Sequence, residues 1–438
     1  MSEQATHLPQ GWYRLTLEKI ASSITSGGTP TSGSPRYYVP SGGLPFAKTE
    51  DLTASKNKYL FDCGLEISDA ALKESAAKKY PVGTILISMY GTIGLTKVTA
   101  RELSANQALC ALIPPLSCST DYLYHYLDYS RLDWLRFSGQ TTQANINGGA
   151  VRAKEVLLPP RKEQEGIAQV LDTLDTAIYE TEAIIAKLKA VKQGLLHDLL
   201  TRGIAANGEL RPPQAEAPHL YEDSLLGWIP KEWELSTVGE QFEIQLGKML
   251  DGQKNAGVLK PYVGNKAVQW DRVDLGEVQQ VRLSKSDLIR FRLQKGDLLV
   301  CEGGDVGRAA IWDNDLDECY YQKALHRLRP LRGYHPRLML ETLRYLMGRD
   351  ALSEYISRTS IAHLTQEKLA RVPLPTPKVD EQERMVAEIL TSKQRLETEE
   401  SQLQKLRLLK SGLMDDLLTG RVRVTPLLAE AAQQQGSA

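Results

Sequence analysis

The chain has five cysteines in 438 residues, none spaced as CxxC, and seven scattered histidines. That excludes a disulfide framework and a cysteine-ligated zinc site, and suits a reducing compartment. Net charge is −1, so no global field draws the chain to nucleic acid. Any DNA binding must rest on local patches or a basic partner. No stretch reaches the ~18 apolar residues of a membrane helix, and the opening MSEQATHLPQGWYRL lacks a signal-peptide core. A cytoplasmic protein without a membrane partner is expected.

Catalytic signatures are missing as well. There is no GxxxxGK[ST] phosphate loop, no HExxH and no GxSxG. The Glu-x-Lys spacing of one metal-dependent nuclease type is absent, as is the Asn/Asp-Pro-Pro-aromatic tetrapeptide of amino-methyltransferases. GTIG (91–94) and GGDVG (303–307) are glycine loops, but each follows a strand where a plain turn suffices. No catalytic residue, metal or bound cofactor is expected.

What is present is a repeat, which has to be dealt with first. Residues 163–201 (EQEGIAQVLDTLDTAIYETEAIIAKLKAVKQGLLHDLLT) return 218 residues later as 381–419 (EQERMVAEILTSKQRLETEESQLQKLRLLKSGLMDDLLT). Both copies keep Glu-Gln at the start, Lys187/Lys405 and Leu188/Leu406 in the middle, and DLLT at the end. Ile167, Leu171, Leu174, Ile178, Ile185, Leu188, Leu195 and Leu199 step by threes and fours, with Thr181 and Lys192 as interruptions. Met385, Ile389, Leu396, Leu403, Leu406, Leu413 and Leu417 hold the same slots in the second copy. That is a coiled-coil seam. Each helix would run roughly 58 Å at 1.5 Å per residue, and a long helix packed on its own domain is the alternative.

The rest of the chain doubles too. Residues 1–158 form a first unit and 222–374 a second, each followed by a long helix (159–206 and 375–424). A linker-like NGELRPPQAEAPHL lies between, and residues 425–438 read as a disordered tail. Trp233 stands where Trp12 stood, and Gly296, Leu299, Gly304 and Gly307 fall on Gly83, Leu86, Gly91 and Gly94. Gln322 falls on Gln107, and each unit ends in a proline-punctuated strand, VLLPP or VPLPTP. Strands mixed with helices, without βα alternation, predict α+β units.

The presumed loops carry groups that can read base edges: amides pair with adenine, and Arg or Lys with guanine. In the first unit these are Thr29, Thr31, Arg36, Tyr37 and Lys48 in or near the SGGTP loop, then Gln143, Asn145 and Asn147 in a polar stretch expected to be flexible. In the second they are Lys248, Lys254, Lys266, Arg308, Lys323, Arg358 and His363.

In the order of its parts the chain resembles the specificity subunit of type I restriction–modification systems. Unit, proline exit with Glu-Gln (LLPPRKEQ) and helix ending LLHDLLTRG are followed by a second unit, PLPTPKVDEQ and LMDDLLTGR. The loop SGGTP…YY and the GTILIS and GDLLV strands are similar too, although QLGKMLDGQ replaces the GGTP form in the second unit. The resemblance implies two α+β target-recognition domains separated by two antiparallel coiled-coil-like helices. Each domain would read half of a split target on double-stranded DNA. The helices would space the domains and hold two modification subunits, with Ile178, Ile185, Leu188, Leu195, Leu396, Leu403, Leu406 and Leu413 as interface candidates. S-adenosylmethionine, ATP and Mg would belong to the modification and restriction/translocase partners. A DNA-modifying enzyme with an unrecognised site, or a coiled-coil adaptor with no nucleic-acid role, are the alternatives.

Overall fold

The computed structural model describes residues 8–137, 145–224, 226–251, 256–313, 316–358 and 362–424. The chain forms two compact units, Met1–Ile184 with Glu399–Ala438, and Ile185–Thr398. The expected tail at 425–438 lies outside the described residues. The long helices run Arg161–Thr201 and Val379–Leu418. The division crosses the middle of both, so each unit is a globular domain plus half of each helix.

The largest described sheet of each globular domain is mainly antiparallel. In the first unit its order is Ala21–Ser26, Leu109–Leu116, Ile85–Ser88, Thr96–Thr99 and Tyr59–Leu60. In the second it is Phe242–Leu246, Leu325–Pro330, Leu298–Cys301 and Ala309–Ile311. The central strands ILIS and LLVC are buried along their whole length. Alternate side chains of a strand face opposite ways, so Ile85 and Ile87 enter one core while Leu86 enters another. Leu298 and Val300 likewise part from Leu299 and Cys301. A strand covered on both faces reads as a continuous apolar run.

One core of each unit takes in both long helices. In the first unit Ile167, Ala168 and Leu171 share a core with Met414, Leu417 and Leu418. In the second, Leu199 and Ile204 share one with Met385, Val386 and Ile389. The start of one helix lies beside the end of the other, so within each unit the two run antiparallel. Ion pairs in the first unit keep the same register: Lys410 to Asp175 at 2.6 Å and Arg407 to Glu182 at 2.6 Å. Full burial of Leu171 alone contributes about 1.5–3 kcal/mol.

The repeated Glu-Gln pair explains itself here. Gln164 donates to the Pro159 carbonyl and accepts from Ser119 N–H, both at 2.8 Å. Gln382 does the same with Pro377 and His335, again at 2.8 Å. Each glutamine thereby ties the proline exit to the start of a domain helix. The neighbouring glutamate receives an arginine from beyond the end of the other long helix. Arg423 donates to both oxygens of Glu163 at 2.6 and 2.8 Å, and Arg211 to both of Glu381 at 2.5 and 3.1 Å. Ile204 N–H and Trp233 Nε1–H also donate to Glu381, at 2.9 and 3.1 Å.

Residues 207–220, linker-like in composition, are mostly exposed but are anchored at two points. Arg211 and Ala217 are buried, and Tyr221 starts the hairpin of Tyr221–Ser224 with Gly227–Pro230. The correspondence of Trp12 and Trp233 holds, each N–H donating to a proline carbonyl three residues back, at 3.0 and 2.9 Å.

Ion networks fasten each domain to its helices. Lys58 lies 2.6 Å from Asp172 and 2.8 Å from Asp121, and His125 Nε2 is 2.8 Å from Asp172. In the second unit Asp271 gathers Arg337, Arg344 and, at 3.5 Å, Lys393. Burial pushes the Asp172 carboxyl up, but hydrogen bonds from His125 and Lys58 outweigh it and hold the group below its ordinary value. Asp271 behaves alike, burial being outweighed first by Arg344, then by Lys393 and Arg337.

Two expectations follow. Arg211 and Glu381 side chains are each only 6% exposed. Glu381→Ala should therefore remove the buried partner of Arg211, leave it only the exposed Glu232 at 2.6 Å, and cost about 3 kcal/mol, while Glu163→Ala should cost less because Arg423 reaches solvent. Urea denaturation of the two variants measures this, and equal losses would contradict it. The second concerns acid. Depressed folded pKa values at Asp172 and Asp271 contribute stability above the unfolded carboxylate value of about 3.9, and that stability is lost as pH falls through the folded values. Melting temperature should drop steeply below about pH 4, and less steeply in Asp271→Asn, which should already be less stable at pH 7.

Candidate nucleic-acid interface

Beyond the strand ends five loops converge in each unit, joined by matching main-chain hydrogen bonds. At the end of Ala21–Ser26, Gly27 N–H donates to Leu109 O and Gly28 N–H to Ala105 O, both at 3.0 Å. At the end of Phe242–Leu246, Gly247 N–H donates to Leu325 O and Lys248 N–H to Tyr321 O, also at 3.0 Å. A Cβ on Gly27 would lie 2.1 Å from Asn106 O, and one on Gly247 2.3 Å from Gln322 O. Gly247 thus occupies the place of Gly27, although the second unit lacks the GGTP form.

The other loops match in the same way. Asn106 N–H donates to Ala47 O at 3.0 Å as Gln322 N–H does to Val263 O at 3.1 Å. Leu109 N–H reaches Asn106 O as Leu325 N–H reaches Gln322 O, each at 3.2 Å. The structural partner of Gln322 is therefore Asn106, and that of Lys323 is Gln107, one residue from the identity match. Ile146 N–H donates to Met89 O at 3.1 Å, and Leu364 N–H to Glu302 O at 2.8 Å. Bridges Tyr90–Asn145 and Gly303–His363 complete the correspondence.

On this frame the first unit presents Thr29, Lys48, Tyr90, Gln107 and Asn145; Tyr90 is 48% exposed. The Thr29 hydroxyl donates to Gln107 Oε1. The second unit presents Lys266, Lys323 and His363. Asn265 Nδ2 donates to Gly303 O at 2.9 Å, bringing exposed Lys266 beside the glycine loop. A Cβ on Gly303 would lie 3.0 Å from His363 Nδ1, so glycine there makes room for the imidazole ring.

Other sequence candidates fall elsewhere or are already engaged. Arg36 and Tyr37 both bond Glu74, at 2.5 and 3.2 Å, and Thr31 is exposed in the preceding turn. Asn147 Oδ1 accepts from Ala150 N–H at 2.9 Å, capping helix Gly148–Ala153 where sequence suggested a flexible stretch. Lys248 pairs with Asp287 at 2.9 Å; Arg308 pairs with Asp305 and donates to Asn265 O at 3.0 Å. Arg358 lies on the short strand paired with Ala362–His363. Gln143 and Lys254 lie outside the described residues. Tyr90 and Gln107 were missed, though each borders an apolar run (ILISM and ALCALIP), where a strand gives way to a loop.

The eight subunit-interface candidates lie on the two long helices and are at least half covered within the chain itself. Ile185 is buried, and Ile178, Leu188, Leu195, Leu396, Leu403, Leu406 and Leu413 are half-buried. The large apolar side chains facing solvent on the described helices are others: Tyr179, Ile184, Leu408 and Leu409 in the first unit, Val191, Val379 and Leu390 in the second.

His125, Asp172 and Asp175 are close enough together to hold a metal. Lys58 and Lys410 lie 2.6 Å from the two carboxylates, where they already supply the positive charge. The cysteines are free thiols; burial pushes Cys110 and Cys301 up to about 11, and Cys63, Cys118 and Cys319 to about 12. No described helix is long and apolar enough to cross a membrane.

A family profile described as "Type I restriction modification DNA specificity domain" matches residues 9–190 and 230–408. The type I restriction enzyme MjaIX specificity subunit of Methanocaldococcus jannaschii is 25% identical over 285 residues. That match covers 64% of this chain and 62% of that subunit, less than two thirds of its length. The putative MjaX specificity subunit of the same organism is 20% identical over 434 residues, 95% of each chain. The fold is similar to that of the crystallised type I restriction–modification S subunit from M. genitalium, with a TM-score of 0.54 at 16% identity, covering 95% of this chain and 98% of that one.

The frame itself is open to test. Gly27→Ala and Gly247→Ala force a methyl group onto main-chain oxygen, and each should cost at least about 1–3 kcal/mol. Hydrogen exchange should show loosening around residues 105–109 in the first variant and 321–325 in the second. Unchanged protection in both would mean that the loops do not depend on these contacts.

Proposed function

The chain belongs to the type I restriction–modification DNA specificity family, and from that premise we propose that it is a noncatalytic subunit that reads a bipartite duplex target. The observation that carries this is the pair of five-loop clusters, joined by matching main-chain hydrogen bonds and furnished with different side chains. Two readers on one frame suit a target of two unlike halves. Direct readout needs amides, cations and rings within reach at loop ends; Gln107, Asn145, Lys323 and Lys266 are exposed there, and His363 is half-buried beside them. With a net charge of −1 the chain needs company on DNA. Two modification subunits, docked on the outward apolar residues of the long helices, would bring that charge together with S-adenosylmethionine. Restriction/translocase subunits would bring ATP and Mg. The cytoplasm, which keeps five free thiols reduced, is the fitting compartment.

The long helices would set the distance between half-sites. An insertion at Thr201–Ile204 cannot test this, since Ile204 is buried and bonded to Glu381. One heptad added to each helix, after Ile184 and after Thr398, keeps the seam. It lengthens the spacer by roughly 10 Å, about three base pairs of duplex. Selection from randomised duplexes by the complex assembled with modification subunits should return the wild-type half-sites with a longer gap. Altered half-sites at the original gap, or no bipartite sequence selected even by wild type, would refute the proposal.

A further inference from the structure

The two loop clusters share a frame but not a chemistry, and we propose that this sets different bases in the two half-sites: adenine opposite Gln107 and guanine opposite Lys323. The inference rests on the DNA-reading function above and adds which chemistry each half reads. Gln107 and Lys323 are structural equivalents, each one residue past the carbonyl (Asn106 O or Gln322 O) that closes its turn. Both are exposed.

Gln107 is oriented. The Thr29 hydroxyl donates to its Oε1, which leaves that oxygen a second lone pair and leaves both Nε2 hydrogens free to donate. An amide held this way matches the N6 donor and N7 acceptor of adenine. Lys323 forms no ion pair among the described residues, whereas nearby Lys248 is neutralised by Asp287. An ammonium group only donates, which suits the O6 and N7 acceptors of guanine and not the amino group of adenine. The adjacent pair differs in kind as well. Asn145, another amide, corresponds to His363, and exposed Tyr90 to Gly303. Among these equivalent positions the first unit carries amides and a phenol, the second a cation and an imidazole.

The test uses the full chain assembled with its modification subunits, selecting from randomised duplexes at fixed salt. Wild type, Gln107→Lys, Lys323→Gln and Gln107→Ala are compared, with melting curves to check folding. Gln107→Lys should exchange adenine for guanine at one position of one half-site, and Lys323→Gln the reverse in the other. Each preference should change on the order of tenfold, with the opposite half-site untouched. If Gln107→Lys binds no duplex, Gln107→Ala decides, by losing the preference at that single position. Folded, assembled variants that keep both preferences would overturn the assignment. So would affinity falling equally for all sequences with a flatter salt dependence, since that marks a phosphate contact. A wild type that selects no bipartite sequence would instead bring down the DNA-reading function itself.

Discussion

A carboxylate buried at the head of each long helix is the contact on which the rest depends. Glu163 and Glu381 are both about 4% exposed, and ions so far from water are costly unless paired and hydrogen-bonded. Their arginines, Arg423 and Arg211, come from beyond the end of the opposite helix. Each unit therefore closes only when the start of one helix, the end of the other and the segment after it are in place together. The helix N-terminus, with its partial positive charge, favours the same carboxylate. The adjacent glutamine uses both ends of its amide, so the proline exit and the domain helix are fixed by the same two-residue motif.

A frame closed in this way leaves the loops free to differ. The central strand of each sheet is covered on both faces, so ILIS and LLVC remain buried along their whole length. The loop ends carry no such demand apart from glycine where main chain crowds main chain, as at Gly27 and Gly247. Between those points Gln107 becomes Lys323, Asn145 becomes His363 and Tyr90 becomes Gly303 without moving a shared backbone bond. The domain-to-helix ties show the same freedom. Helix residue Asp172 meets Lys58 and His125 of one domain, while helix residue Lys393 meets Asp271 of the other. The polarity is reversed and the fastening kept.

Much of this was determined by sequence alone. The doubled helix, its seam, the buried strands and the Glu-Gln starts were legible because backbone geometry imposes periods of 3.6 and 2 on any chain that buries one face. Even the seam positions came out shielded, Ile185 fully and Leu188 and Leu406 in part. Only the tertiary structure decided which polar groups are free to act. Arg36 and Arg308 read as reachable cations but are bound to Glu74 and to Asp305. Asn147 reads as a base reader and caps a helix, and Arg211 sits in a stretch of linker composition yet pairs with Glu381, both side chains buried. Identity matching set Gln322 on Gln107, whereas the hydrogen bonds set it on Asn106. Periodicity is a local property of the backbone. The partner of a charge or an amide is chosen by atoms that the fold brings from 38, 170 or 260 residues away.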